Sequence, residues 1–322
     1  MNAPRITICI CTYDRYDVLP KAIESAKAQT LDRSLYRIIV VDNSPDHVQA
    51  EAFGRPYHEP PFLSYHIEKT PGLSNARNVG SRDCGTEFIA FMDDDAIASP
   101  GWLEHLLAGF DRFGEEVAVV GGRVDPIWGT ERPTWLGDRM LGYVSVVNWG
   151  GETRIAGEKE WLAGTNIAFR TRTVLDAGGF DVSLGRKGGG AALMSNEEVM
   201  IVNHLREKGL RSVYAPEASV RHLVERKRLQ RSWFRRRVAW QAVSDYTADA
   251  QAAIASARRY WDVVTNYFFA LPPAERTIRG LYFDTDSAEL LQQQLDAIYI
   301  VTLAQLSGFE GIAAQDRALL AA

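Results

Sequence analysis

Three consecutive carboxylates, Asp93, Asp94 and Asp95, follow directly on the apolar run of residues 88–92. A short apolar run bounded by polar residues reads as a buried strand of a parallel sheet. Ligands of open α/β sheets bind beyond the carboxyl ends of such strands. Three adjacent anions there are costly unless something positive sits among them. A divalent cation carrying a phosphate ester would satisfy them. Residues two apart on an extended chain point to one side, so Asp93 and Asp95 can converge on one ligand. Hard oxygen donors favour Mg²⁺ or Mn²⁺ over zinc. The competing reading is a solvated acidic turn ahead of a helix cap, and the triplet alone does not separate the two. A second acidic pair, Glu197 and Glu198, stands at a predicted helix start, where acids stabilise the dipole whatever else they do. Asp42 closes another apolar run, residues 37–41.

These groups need a scaffold that brings strand ends together. Residues 6–10 read as a first buried strand. Residues 17–29 have helical spacing, with Val18, Leu19, Ile23 and Ala26 on one face. The strand of residues 37–41 then completes a parallel βαβ unit. A short third strand is expected at 65–68, a helix entered through Pro71-Gly72 and Ser74, a helix opening at Pro100, and a strand at 118–122. Residues 125–160 mix proline, glycine and tryptophan, and read as an irregular excursion with a hairpin near 143–149. A strand at 161–169, a glycine-rich flexible stretch at 185–190, a helix at 195–208 closed by Gly209 and a strand at 211–215 complete the series. Beyond Arg221 the chain turns basic, with Trp233 and Phe234, and then helical; residues 288–304 carry Leu291, Leu295, Ile298 and Val301 at helical spacing. The expected organisation is an α/β domain over residues 1–225 and a helical region over 226–322.

Totals narrow the classes. The chain has 322 residues and a net charge of -5, so bulk electrostatics give no reason to expect a nucleic-acid partner. Cys9, Cys11 and Cys84 lack metal-site spacing. The N-terminus runs straight into a strand, the reading of a chain without a signal peptide. No apolar run reaches membrane-spanning length. A cytoplasmic location follows as the expectation, with a peripheral position at the inner face of the membrane as its variant.

The pieces resemble a family through their order. Thr12-Tyr13 follows the first strand, Asp42-Asn43-Ser44 the second, then Arg77-Asn78 in the 72–80 segment, the Asp93-Asp94-Asp95 triplet, Gly164-Thr165-Asn166, Glu197-Glu198 and His222. This resembles glycosyltransferase family 2, inverting enzymes with the GT-A nucleotide-sugar-binding fold, over residues 5–225. The resemblance implies a Rossmann-like, mixed but mostly parallel sheet flanked by helices, with a helical extension after it. It implies that Thr12, Tyr13 and Asp42 hold the nucleotide base and ribose, with Arg77 and Asn78 lining the same pocket. Asn166 is carried over to the nucleotide-sugar site. Asp95 would bind the metal, Asp93 the ribose or the metal, with Asp94 able to share that role. His222 matches the later metal ligand and Glu198 the catalytic base, with Glu197 its neighbour. The family commonly has Glu-Asp where this chain has Glu197-Glu198; the longer side chain shifts the carboxylate by about one bond length.

Chemistry argues the same way. Sugar transfer from a nucleoside diphosphate needs charge neutralisation at the departing diphosphate, which a metal supplies as Lewis acid. It also needs a carboxylate to take the acceptor hydroxyl's proton. One acidic cluster plus one separate carboxylate is the minimum equipment. With what the resemblance implies, the expectation is an inverting, metal-dependent transferase using a nucleotide-diphosphate donor, UDP-linked by the resemblance, with Mn²⁺ or Mg²⁺ and a hydroxyl acceptor, in polysaccharide, glycolipid or other glycoconjugate synthesis. A non-catalytic sugar-nucleotide-binding relative is the alternative. A nucleotidyltransferase is disfavoured because Cys11-Thr12-Tyr13-Asp14-Arg15 has no glycine, and a dinucleotide-binding domain because no Gly-x-Gly-x-x-Gly follows the first strand. The glycine run at 188–190 is placed to act as a lid. The basic stretch 221–237 reads first as a solvated helix face and second as a contact for anionic lipid head groups. The apolar stripe from Leu291 to Val301 permits a homodimer.

Overall fold

The first strands are mostly buried, residues 6–12 entirely and residues 36–42 and 88–93 all but one each, with 63–67 half-buried at the edge, as expected of a sheet covered on both faces. In the computed structural model, which describes residues 3–189, 192–317 and 320, these are β1 (Ile6–Thr12), β2 (Tyr36–Asp42), β3 (Leu63–Ile67) and β4 (Phe88–Asp93). They form a parallel block in the order β3-β2-β1-β4. The chain builds outward from β1 to β3 and then returns to its other side at β4, and that reversal is the switch point where such sheets open a crevice. Register brings the functional ends level: Thr12 pairs with Asp42, and Cys11 with Asp93. Five further strands are β5 (Ala96–Ala98), β6 (Val117–Trp128), β7 (Arg154–Ile155), β8 (Ile167–Arg170) and β9 (Arg211–Val224). β8 adds antiparallel to β4, and the order continues through β6 and β9 to β5, with β7 also on β9. The sheet is therefore mixed and mostly parallel around its functional end.

Helices cover it. α1 (Leu19–Lys27) starts at a proline and buries Leu19, Ala22, Ile23 and Ala26, one face of a 3.6-residue period. After α2 (His47–Gly54), α3 (Leu73–Asp83) lies close on β1: a Cβ at Gly80 would stand 2.3 Å from the Cys9 sulfur. α4 (Trp102–Phe113) buries Trp102, Leu103, Leu106, Leu107 and Phe110. α5 (Thr171–Asp176) follows β8, and α6 (Glu197–Glu207) precedes β9.

Two compact units emerge. The first comprises Met1–Ile127, Ser145–Ala191 and Glu197–Leu223; the second comprises Trp128–Val144, Ala192–Asn196 and Val224–Ala322. The second unit thus combines the long C-terminal piece with two earlier pieces of chain. Its helices are α7 (Arg231–Ala248), α8 (Ala250–Arg259), α9 (Trp261–Ala270), α10 (Ala288–Leu306) and the short α11 (Ala314–Arg317). α10 is its axis. Leu291, Leu295, Ile298 and Val301 are buried within the unit, so the stripe that permitted a dimer is already covered by the chain's own helices. The buried Gln294 bonds to Arg235, Tyr267 and the Phe283 carbonyl. Trp233 and Phe234 are buried as well, with Phe234 edge-on to Trp135. Arg231 pairs with Asp286, Arg235 with Asp284 and Lys227 with Glu225, so much of the basic stretch is neutralised internally.

Sequence expectations miss in instructive places. The strand placed at 161–169 is only Ile167–Arg170, and the one ended at Pro216 runs on to Val224. The excursion contains a 3-10 segment, Asp138–Val144, and the bridge Val124↔Val147 in place of a full hairpin. Among the described residues, no helix is long and apolar enough to cross a membrane.

Candidate active site

The end of β4 delivers the acidic triplet into the crevice, and each carboxylate has its own setting. Asp93 is about one-third exposed, and its backbone N–H points to Thr165 Oγ1 at 3.4 Å. Asp94 is buried and accepts from the Thr12 hydroxyl at 2.6 Å. Burial and the neighbouring Asp95 push its carboxyl up to about 7, against the opposing pull of Arg15 and Thr12. Asp95 is buried between His222, whose Nε2 lies 3.2 Å from Oδ1, and Arg15, whose Nη2 lies 3.0 Å from Oδ2. His222 reaches it because β5 and β9 pair with Ala96 opposite His222, one residue past the triplet.

Ligand atoms of Asp93, Asp95 and His222 all lie within 4.8 Å of one another. Two carboxylates and one imidazole suit a divalent ion such as Mn²⁺ better than an all-thiolate or all-oxygen metal. The buried His222 Nδ1 has no hydrogen-bond partner among the described residues. The donor set fits a divalent cation.

Arg77 links Asp93 to the acid pair at the start of α6. Arg77 from α3 is buried; its Nη1 meets Glu197 Oε1 at 2.8 Å and its Nη2 stands 3.8 Å from Asp93. Its guanidinium also faces the rings of Phe91 and Phe180. Burial alone would lower the Arg77 pKa, but Glu197, Glu198 and Asp93 raise it on balance. A Cβ at Gly164 would fall 2.5 Å from Arg77 Nη2, so glycine is what lets the guanidinium lie there. Among the described residues, Glu198 has no ion-pair partner at such a distance. The Gly164 N–H approaches its Oε1 at 3.4 Å, while the buried Oε2 has no partner among the described residues. Burial, then the charge of Glu197, pushes the Glu198 carboxyl up to about 7, with Arg77 pulling the other way. Two adjacent glutamates are thereby differentiated: one ion-paired, one held near the pKa of a working base.

Other predicted residues fall elsewhere. Asp42 is fully buried, with Ser44 donating to Oδ1 and the hydroxyls of Tyr16 and Tyr65 donating to Oδ2 at 3.1 and 2.6 Å. Its carboxylate is already filled by protein donors. Arg77 faces the acids Glu197 and Asp93. Asn78 spends its amide on Phe180, donating to its carbonyl at 2.8 Å and accepting from its N–H at 2.7 Å. Asn166 is fully buried; it accepts from Trp102 Nε1 and donates to the carbonyls of Arg123 and Ala218. Both asparagines are structural clamps beside the site. Tyr13 lies against the glycine-rich stretch, 3.0 Å from where a Cβ on Gly188 would be. The last glycine of that stretch, Gly190, is outside the described residues. The sequence assigned no site role to Arg15, Tyr16, Tyr65 or Gly164. The only signal for Arg15 was one cation in the loop following a strand with acids level beside it.

The chain is similar to known proteins in sequence and in fold. The model of "Glycosyl transferase family 2" matches residues 7–176. The "Glucosyl-dolichyl phosphate glucuronosyltransferase" of Haloferax volcanii is 28% identical over 313 residues, covering 95% of each chain. The "Succinoglycan biosynthesis protein ExoM" of Rhizobium meliloti is 27% identical over 234 residues, covering 72% of this chain and 71% of its own. Among solved structures, a mannosyltransferase from Pyrobaculum calidifontis in complex with GDP-Man and Mn²⁺ aligns with a TM-score of 0.53 at 17% identity, over 100% of this chain and 79% of that one. That likeness is one of fold, and the fold is GT-A-like. With its model matched from β1 through α5, the chain belongs to glycosyl transferase family 2 and is a glycosyltransferase.

Proposed function

We propose that the protein is an inverting, metal-dependent glycosyltransferase that moves a sugar from a nucleoside-diphosphate donor to an acceptor hydroxyl. The observation that carries this reading is the convergence of Asp93, Asp95 and His222 at the mouth of the sheet, with Glu198 near enough to feel the charge of Asp93. Asp93, Asp95 and His222 would hold the cation. When bound, it supplies charge neutralisation for the leaving diphosphate. The imidazole in the donor set favours Mn²⁺ over Mg²⁺.

Glu198 takes the acceptor hydroxyl's proton on Oε2, its unpartnered oxygen. Arg77 pairs with Glu197, which leaves its neighbour to take the proton. Thr12 fixes the orientation of Asp94 beside the ligands. Tyr13 and the Gly188-Gly189 backbone flank the donor side, where the glycines leave room for a lid to close. With Asp42 filled by Tyr16, Tyr65 and Ser44, the base contact passes to the rim of that cluster. UDP remains the favoured donor class, and GDP is its rival because the Pyrobaculum enzyme was solved with a GDP-sugar. The name of the Haloferax relative supports a lipid-phosphate-linked sugar as the acceptor.

Calorimetric titration with UDP, GDP, dTDP and CMP, with and without Mn²⁺, tests the donor site. The expected result is metal-dependent binding of one nucleoside diphosphate that Asp95→Ala abolishes. Absence of diphosphate binding by the folded protein in both conditions would remove the reading.

A further inference from the structure

Asp95 is held on both oxygens by the chain's own side chains. His222 Nε2 lies 3.2 Å from Oδ1 and Arg15 Nη2 lies 3.0 Å from Oδ2. Arg15 Nε also lies 3.6 Å from Asp94 Oδ1, the oxygen opposite the one that Thr12 binds. The guanidinium is placed there by a pinned loop. Asp14 adopts a left-handed conformation, φ 53°, and its N–H donates to Ser44 Oγ at 2.8 Å, which turns the next residue toward the triplet. The Asp95 side chain is 3% exposed while that of Arg15 is 22% exposed. The pair therefore has a fixed, buried anion and a cation with a route to solvent.

A buried carboxylate stripped of its partner is costly, and so is a divalent ion set beside an unreleased guanidinium. Any metal that uses Asp95 must compete with Arg15 for it. A diphosphate changes the balance, because guanidinium groups bind phosphate oxygens with two parallel, charge-assisted hydrogen bonds. We propose that Arg15 is the internal counter-cation of the metal centre. The metal displaces it from Asp95, the donor diphosphate receives it, and the two ligands therefore bind with strong positive coupling. Arg15 acts through Asp95 and the diphosphate and is a positioning residue. The inference rests on the metal-centre reading above and adds to it a role for a residue outside the ligand set. Coupling of this kind is reciprocal: each ligand raises the affinity of the other by one common factor.

The test titrates the full chain with Mn²⁺ alone, with UDP or GDP alone, and with each nucleotide at saturating Mn²⁺, after subtraction of metal–nucleotide complexation in buffer. In the unaltered protein, Mn²⁺ is expected to raise nucleotide affinity at least tenfold. In Arg15→Gln and Arg15→Ala, Mn²⁺ alone is expected to bind at least fivefold tighter than to the unaltered protein, and the coupling to fall below threefold. Arg15→Lys, which keeps the charge, is expected to retain most of the coupling. A role confined to holding the loop predicts the opposite, weaker Mn²⁺ binding in both neutral variants. Mn²⁺ affinity that is unchanged or weaker in both, or coupling that survives in both, overturns the proposal. Asp95→Asn separates the two readings. If it leaves metal-dependent binding intact, the metal-centre reading fails and this inference falls with it. If it abolishes that binding while the neutral Arg15 variants behave like the unaltered protein, only the role of Arg15 falls.

Discussion

At the scale of single residues, the site works by giving like groups unlike surroundings. Glu197 and Glu198 are adjacent and chemically identical, yet Arg77 pairs with the first alone. Arg77 can do so because Phe180 lies beside its guanidinium, Asn78 anchors the Phe180 backbone, and Gly164 leaves room. Glu198→Gln is expected to lower kcat by about 10²- to 10⁴-fold, the usual worth of a positioned general base. With the Glu198 carboxyl pushed up to about 7, kcat/KM of the unaltered enzyme should rise with pH through about 7 and level off above it. A pH–rate profile that is flat from 5 to 9 would remove Glu198 from the base role. The sign for stability is the reverse. The folded protein holds this proton up to about 7, whereas the unfolded chain releases it near 4.5, so this group's contribution to stability falls as pH rises between the two. Glu198→Gln should then be more stable than the unaltered protein at pH 8, by about 1–3 kcal/mol, with the gain gone below pH 4.5. Thermal melts at both pH values read this without any turnover assay.

At the scale of elements, the sheet decides which residues can meet. Parallel pairing of β1 with β2 and β4 levels Thr12, Asp42 and Asp93, and antiparallel pairing of β5 with β9 returns His222 from far along the chain to Asp95. β9 runs through Pro216, which lacks a ladder donor. The side chain of Asn166 supplies donors nearby, to the carbonyls of Ala218 on β9 and Arg123 on β6, while Trp102 of α4 donates to its Oδ1. That stitch explains why the strand outlasts the proline. Asn166→Ala is expected to cost about 1–3 kcal/mol for each buried group left unpaired. The denaturant midpoint should fall with an unchanged m-value, as for a lost contact in an otherwise intact fold. A loss of nucleotide affinity with no loss of stability would instead return Asn166 to the ligand site.

At the scale of the whole molecule, ligand binding should be visible as stability. A nucleoside diphosphate with Mn²⁺ that binds only the folded protein adds about 2.7 kcal/mol at a hundredfold excess over Kd. That corresponds to a Tm rise of several degrees, expected in the unaltered protein and absent in Asp95→Ala. By itself, the sequence determined the α/β class, the parallel start of the sheet and the acidic centre. Those rest on local signals: all-apolar strands, an amphipathic α1, carboxylates at a strand's end. It also carried the family, through motifs in fixed order. Only the tertiary structure decided which side chains in those motifs face the site. Asn78 and Asn166 sit in them yet hold backbone groups, and Asp42 is closed off by tyrosines from two separate segments. The extent of β9 and the burial of the α10 stripe were likewise set by partners distant in sequence. The pairing of Arg77 with Glu197 spans 120 residues, and that of Arg15 with Asp95 joins the ends of two strands. No periodicity or spacing encodes such pairs. They exist because the sheet's register brings distant segments within a few ångströms, where burial makes each charge choose a partner.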